Sequence, residues 1–106
     1  MSTFDKRKKE EEAKYKRDED LKFKVTARRN KLLGLWAAEQ MNITGAEADA
    51  YAKQVVAADF EKPGDSDVVE KVLNDLGAKG VSMDEHRLRK EMTRLMEVAR
   101  QQVMEE

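Results

Sequence analysis

The chain contains no cysteine. Disulfides, cysteine-based zinc sites, iron–sulfur clusters and thiol catalysis are therefore excluded. Proline occurs once and glycine five times in 106 residues, so few positions interrupt a helix. Aromatic residues make up only 6%, whereas strand-rich folds draw heavily on aromatic and β-branched side chains. No apolar run approaches the ~20 residues that span a bilayer. The amino-terminal stretch is basic but lacks the apolar core of a signal peptide, so a soluble, intracellular protein is expected.

What the chain has is charge. Asp, Glu, Lys and Arg make up 41% of it, 21 cations against 22 anions, for a net charge of −1. The balance hides an asymmetry: residues 1–31 carry 12 cations and 7 anions, residues 32–106 carry 9 and 15. A basic arm on an acidic body suggests two parts with different tasks. In the first twenty residues only Met1, Phe4, Ala13 and Tyr15 are apolar or aromatic. Such a segment cannot bury enough surface to offset its ordering entropy, so alone it is expected to be disordered or a fluctuating helix. It is nevertheless helix-competent. Opposite charges recur four residues apart, as in Lys6–Glu10, Arg7–Glu11, Lys8–Glu12, Glu10–Lys14 and Asp20–Lys24, each pair contributing about 0.2–0.5 kcal/mol to an isolated helix. Phe4 and Tyr15 stand close to three full turns apart and share a face, with Lys8 and Glu11 between them.

From Leu21 the pattern becomes that of a packed helix. Leu21, Val25, Leu32 and Leu35 recur at near-heptad spacing, widened by Leu33, Trp36, Ala37 and Met41, so a helix is expected from Asp20 to Met41, continuous with the arm when the arm is ordered, with Asn42 as its stop. Thr44-Gly-Ala-Glu47 has the form of a capping box. A second helix with Tyr51, Val55, Val56, Ala58 and Phe60 on its apolar face then runs to Glu61 and is ended by Pro63-Gly64. Asp65 or Ser66 caps a third, to Ala78, with the stripe Val69, Val72, Leu73, Leu76, and Gly77 and Gly80 are available for a left-handed cap. Ser82-Met-Asp-Glu85 is a second capping-box pattern before a helix carrying Leu88, Met92, Leu95, Met96, Ala99 and Val103. The expected fold is all-α: a four-helix bundle over residues 20–106 with a mobile arm, residues 1–19.

Chemistry is mostly missing. Neither phosphate-binding glycine motif occurs. His86 is the only histidine, and with no second His or Cys it completes no metal site; it reads as a solvated or half-packed helix residue. The carboxylates are not paired in an apolar pocket, so acid–base catalysis finds no support, and no catalytic residue, metal or cofactor is assigned. Arg28-Arg29-Asn30-Lys31 could touch phosphates, but the near-zero net charge argues against a nucleic-acid binder, and the cluster reads as a solvated face. Trp36 and Tyr51 read as core anchors. Gly34 lies inside a helix, where it costs about 1 kcal/mol relative to alanine; either a close helix crossing or a bend explains it. The arm lacks the broad apolar face of a membrane-surface helix. An arm that folds on a protein partner remains, at the cost of ordering it there.

The run Ala27-Arg-Arg-Asn-Lys-Leu-Leu-Gly-Leu-Trp-Ala-Ala38 resembles the central signature of the zeta subunit family, the ATP synthase inhibitors of alphaproteobacteria. Met1-Ser-Thr-Phe-Asp5, Arg7, Glu12-Ala-Lys14, Tyr15, Asp18-Glu19, Leu21-Lys-Phe23, Ala50-Tyr-Ala-Lys53, Val55-Val56, Ala58-Asp-Phe60, Gly64-Asp65 and Glu85-His86-Arg87 extend the likeness over essentially the whole chain. The resemblance implies a non-enzymatic regulatory subunit, cytoplasmic and peripheral on the inner-membrane F-type ATP synthase. Its arm would enter the catalytic head at a catalytic interface between alpha and beta subunits, near gamma, and block ATP hydrolysis. It implies partner contacts from Phe4, Asp5, Arg7, Lys8, Glu11, Lys14 and Tyr15. Position 11 usually carries an aromatic in that family; Glu11 here departs from it and points to weakened inhibition. The other reading is a helical module that binds ADP or ATP, with a vestigial, non-inhibitory arm.

Overall fold

A computed structural model describes the backbone of residues 2–61 and 64–106 and the side chains of residues 19–59 and 64–106. The four helices are α1 (Ser2–Gln40), α2 (Gly45–Glu61), α3 (Ser66–Ala78) and α4 (Glu85–Glu105), with no strand among the described residues. The helix α1 is the central element. It packs against all three others, most extensively α2 and α4, while α2 and α4 do not meet each other among the described residues.

Helix ends follow local chemistry. At the end of α1, Asn42 takes a left-handed conformation with φ 60°. Its own N–H donates to the Glu39 carbonyl at 3.1 Å and the Ile43 N–H to the Ala38 carbonyl at 2.8 Å, the two bonds of a Schellman cap. Gly80, φ 78°, repeats this after α3, with Val81 N–H on the Leu76 carbonyl at 2.9 Å and Gly80 N–H on the Gly77 carbonyl at 3.0 Å. Of the two glycines available, Gly80 is the left-handed one. The start of α4 corrects the sequence reading: the cap is Asp84, not Ser82, and its carboxylate accepts from the Arg87 N–H at 2.7 Å. An aspartate directly before the helix satisfies a first-turn donor by itself, so the helix begins at Glu85. At α3, Asp65 occupies the cap position but makes no side-chain capping bond; its carboxylate is bound elsewhere, as described below. The expected stop at Pro63 and the apolar role of Phe60 lie outside the described residues.

The core joins all four helices through Leu33, Ala37, Tyr51, Val55, Val68, Val72, Leu76, Leu88, Met92 and Leu95, all buried. The third and fourth stripes match the expectation, with Leu73 and Met96 half-buried at the margin. The α1 stripe is displaced. Its buried line runs through Asn30, Leu33, Gly34, Ala37, Ala38 and Met41, while Leu32, Leu35 and Trp36 are only half-buried and Leu21 and Val25 lie near the bundle's end. The smaller residues face inward because α1 is enclosed by three neighbours and its backbone approaches α2 closely. At Gly34 an added Cβ would stand 2.5 Å from the Ala52 Cα. The glycine therefore marks a close helix crossing.

Candidate functional site

The side chains of Phe4, Asp5, Arg7, Lys8, Glu11, Lys14 and Tyr15 lie outside the described residues, as does the mobility assigned to the arm. The described residues show how the bundle grips α1 just after that segment.

Arg29 and Asn30 overturn the solvated-face reading of the basic cluster, since they are 2% and 1% exposed. They lie one turn before Leu33 and Gly34, so the inward face of α1 carries them into the interior. Burial of a guanidinium requires a charged partner and further acceptors. Arg29 has both. Its Nη2 and Nη1 donate to the Asp65 carboxylate at 2.8 and 3.2 Å, and its Nη2 and Nε donate to Asn30 Oδ1 at 2.7 and 3.0 Å. This is a forked, charge-assisted arrangement. It explains why Asp65 does not cap α3. The Arg29 hydrogen bond holds the Asp65 carboxyl below the usual carboxylate range; desolvation opposes this, and the charges of Arg29 and Arg89 add to it.

With Oδ1 turned to Arg29, the Asn30 amide nitrogen points away and has no hydrogen-bond partner. Asn30 borders a small cavity of about 20 Å³, also lined by Phe23, Thr26, Ala27, Val56 and Asp59, room for about one water molecule. Beside it in sequence, Arg28 reaches the far end of α4. Its Nη1 donates to Gln102 Oε1 at 3.0 Å, and its Nη2 pairs with the Glu106 carboxylate. The sequence signal for this cluster was present as two polar residues on the apolar stripe of α1. Their partners, Asp65 and Gln102, are too distant in sequence for a local pattern to indicate.

Tyr51 ties α2 to α3. Its hydroxyl donates to Asp75 at 2.8 Å, and Lys71 pairs with the same carboxylate at 3.0 Å while lying 5.3 Å from the Tyr51 ring centre. Burial, with the bond to Asp75 and its charge, raises the Tyr51 hydroxyl pKa above its usual value. Tyr51 is thus a core anchor, as expected, whereas Trp36 covers the core from its edge. His86 is exposed.

A groove of about 470 Å³ is lined by Arg29, Asp65, Arg89, Met92, Thr93, Met96 and Glu97. Both of its arginines already face carboxylates, Arg29 with Asp65 and Arg89 with Glu85 at 3.4 Å. A nucleotide phosphate would have to compete with those pairs, so the groove does not favour the nucleotide reading. Among the described residues no cluster of three His, Asp or Glu side chains is placed to hold a metal. Nor is any helix among them long and apolar enough to cross a membrane.

The chain matches the model of the family described as ATPase inhibitor subunit zeta over residues 1–102. A chain solved by solution NMR is 49% identical, with a TM-score of 0.72 over 80% of this chain and 96% of its own length. No match was found among curated proteins.

Proposed function

Because the chain belongs to the ATPase inhibitor subunit zeta family, we propose that it inhibits the bacterial F-type ATP synthase by inserting residues 1–19 as a helix at a catalytic interface of the head. The observation that carries this reading is the extent of the family match, which begins at residue 1 and takes in the arm as well as the bundle. The arm supplies Phe4 and Tyr15 as apolar anchors on one helix face, the usual way a groove reads a partner helix. Arg7, Lys8 and Lys14 pair with carboxylates of the alpha and beta subunits, and Asp5 and Glu11 complete the contact face. A segment wedged there stops the interface from opening or closing, and stops gamma from turning in the hydrolytic direction. The protein performs no chemistry of its own. It acts peripherally, on the cytoplasmic side of the membrane.

The test is ATP hydrolysis by the purified catalytic head of the same organism, titrated with the full chain and with a chain lacking residues 1–19. The full chain inhibits; the truncated chain does not, while its circular dichroism retains the helical bundle. Equal inhibition by both would move the activity into the bundle and end this reading.

Glu11 gives a second expectation. A buried Phe-sized contact contributes about 1.5–3 kcal/mol, which is about ten- to a hundredfold in affinity. Glu11→Phe therefore lowers the half-inhibitory concentration by about that factor. An unchanged titration would show that position 11 does not face the enzyme.

A further inference from the structure

Two consecutive residues of α1 reach two different elements. Arg28 holds α4 through Gln102 and Glu106. Arg29 holds the start of α3 through Asp65. Asn30 is locked to Arg29 and borders the cavity against Val56 and Asp59 of α2. Successive helical residues point about 100° apart, so the two arginines hold the helix from two sides. Rotation of α1 about its axis, or a slide along it, breaks at least one of these attachments. Towards the arm the apolar hold on α1 thins: Leu21, Val25 and Ala27 are half-buried, whereas Leu33, Ala37 and Ala38 further along are buried.

We propose that Arg28, beside the buried Arg29–Asp65 pair, is a positioning residue that sets the direction in which residues 1–19 leave the bundle. The proposal rests on the inhibitory reading of that arm. Leverage makes such a collar consequential. At 1.5 Å rise per residue, position 4 of a helical arm stands about 36 Å from Arg28, and a tilt of about 10° at the collar moves it by about 6 Å. That is a whole side chain's width at the contact surface. A collar that aims the arm also reduces the ordering cost of binding, as preorganisation does generally.

The absence of native cysteine allows two spin labels to be placed cleanly, through Lys22→Cys on α1 and Lys90→Cys on α4, both exposed positions. The distance distribution between them is measured in the otherwise unchanged full chain, with Arg28→Ala, and with Gln102→Ala combined with Glu106→Gln. Inhibition of the catalytic head is titrated with the same proteins unlabelled. Arg28 is part-exposed, and none of these changes empties the core, so the bundle stays folded; thermal melts check this.

Both sets of changes broaden the distribution and weaken inhibition about tenfold, the scale of losing a preorganised segment. Arg28→Lys, which keeps the charge but not the fork, recovers part of each effect. An unchanged distribution in both sets overturns the clamp. A broadened distribution with undiminished inhibition shows that the clamp exists but aims nothing, and overturns the positioning role. If the parent chain itself fails to inhibit, the inhibitory reading fails and takes the positioning role with it; the distance measurement still reports separately whether the clamp exists.

Discussion

Asp65→Ala is expected to lower the unfolding free energy by about 2–3 kcal/mol, measured by chemical denaturation at neutral pH. The effect comes from what is left behind. The Arg29 side chain is 3% exposed, and without the carboxylate its charge keeps only the neutral Asn30 oxygen as a partner. Breaking a wholly buried pair costs about 3–5 kcal/mol. The Asp65 side chain is 43% exposed, so water entering from the groove rehydrates part of the guanidinium and brings the cost down. Asp65→Asn retains an acceptor and falls between the two proteins.

The same pair has a pH signature. The folded Asp65 carboxyl lies below its unfolded value of 3.8. In acid the unfolded chain therefore binds the proton first, and stability declines as pH falls. The contribution of the pair is complete above the unfolded value and is lost as pH drops through the lower, folded one. Wild type and Asp65→Ala should accordingly differ most near neutrality and converge in acid. A gap that stays constant across the carboxylate range would mean the charge of Asp65 is not what stabilises the site.

The second large effect is at Gly34. An added Cβ there meets the Ala52 Cα at 2.5 Å, its Cβ at 3.1 Å and its N at 3.3 Å. The obstruction is backbone, so it yields only if α2 moves away from α1. Overpacking of this kind costs about 1–3 kcal/mol, while replacing a helical glycine with alanine returns about 1 kcal/mol of propensity. Gly34→Ala is thus destabilising by up to about 2 kcal/mol, and Gly34→Val, with two further methyls and weaker propensity, by about 3 kcal/mol. Gly77 is the internal control. It also lies in a helix but has nothing within 4 Å of an added Cβ, so Gly77→Ala should stabilise by about 0.5–1 kcal/mol. Equal effects at the two positions in denaturation midpoints would rule out the crossing as the reason for Gly34.

These two sites also mark where local reading of the chain succeeds and where it stops. Val69, Val72 and Leu76, or Leu88, Met92 and Leu95, repeat at helical spacing within one segment, and each stripe is buried as its period indicates. Asn42 and Gly80 close their helices by bonds to carbonyls within five residues. The arm's lack of apolar content and its alternating charges are equally local, and the long signature through Ala27–Ala38 carried the family. By contrast, a polar cluster such as Arg28–Lys31 reads as solvated until its partners are known.

The sequence by itself thus determined four helices, most of their limits and the inward faces of α3 and α4, because spacing, capping and chain breaks are interactions between near neighbours. Only the tertiary structure decided which face of α1 turns inward, that Asp65 serves Arg29 instead of capping α3, and that Gly34 is an approach point for α2. The partners concerned stand 36 residues apart for Arg29 and Asp65 and 74 apart for Arg28 and Gln102. The burial of a charge depends on whether such a distant partner arrives beside it, and no local pattern records that.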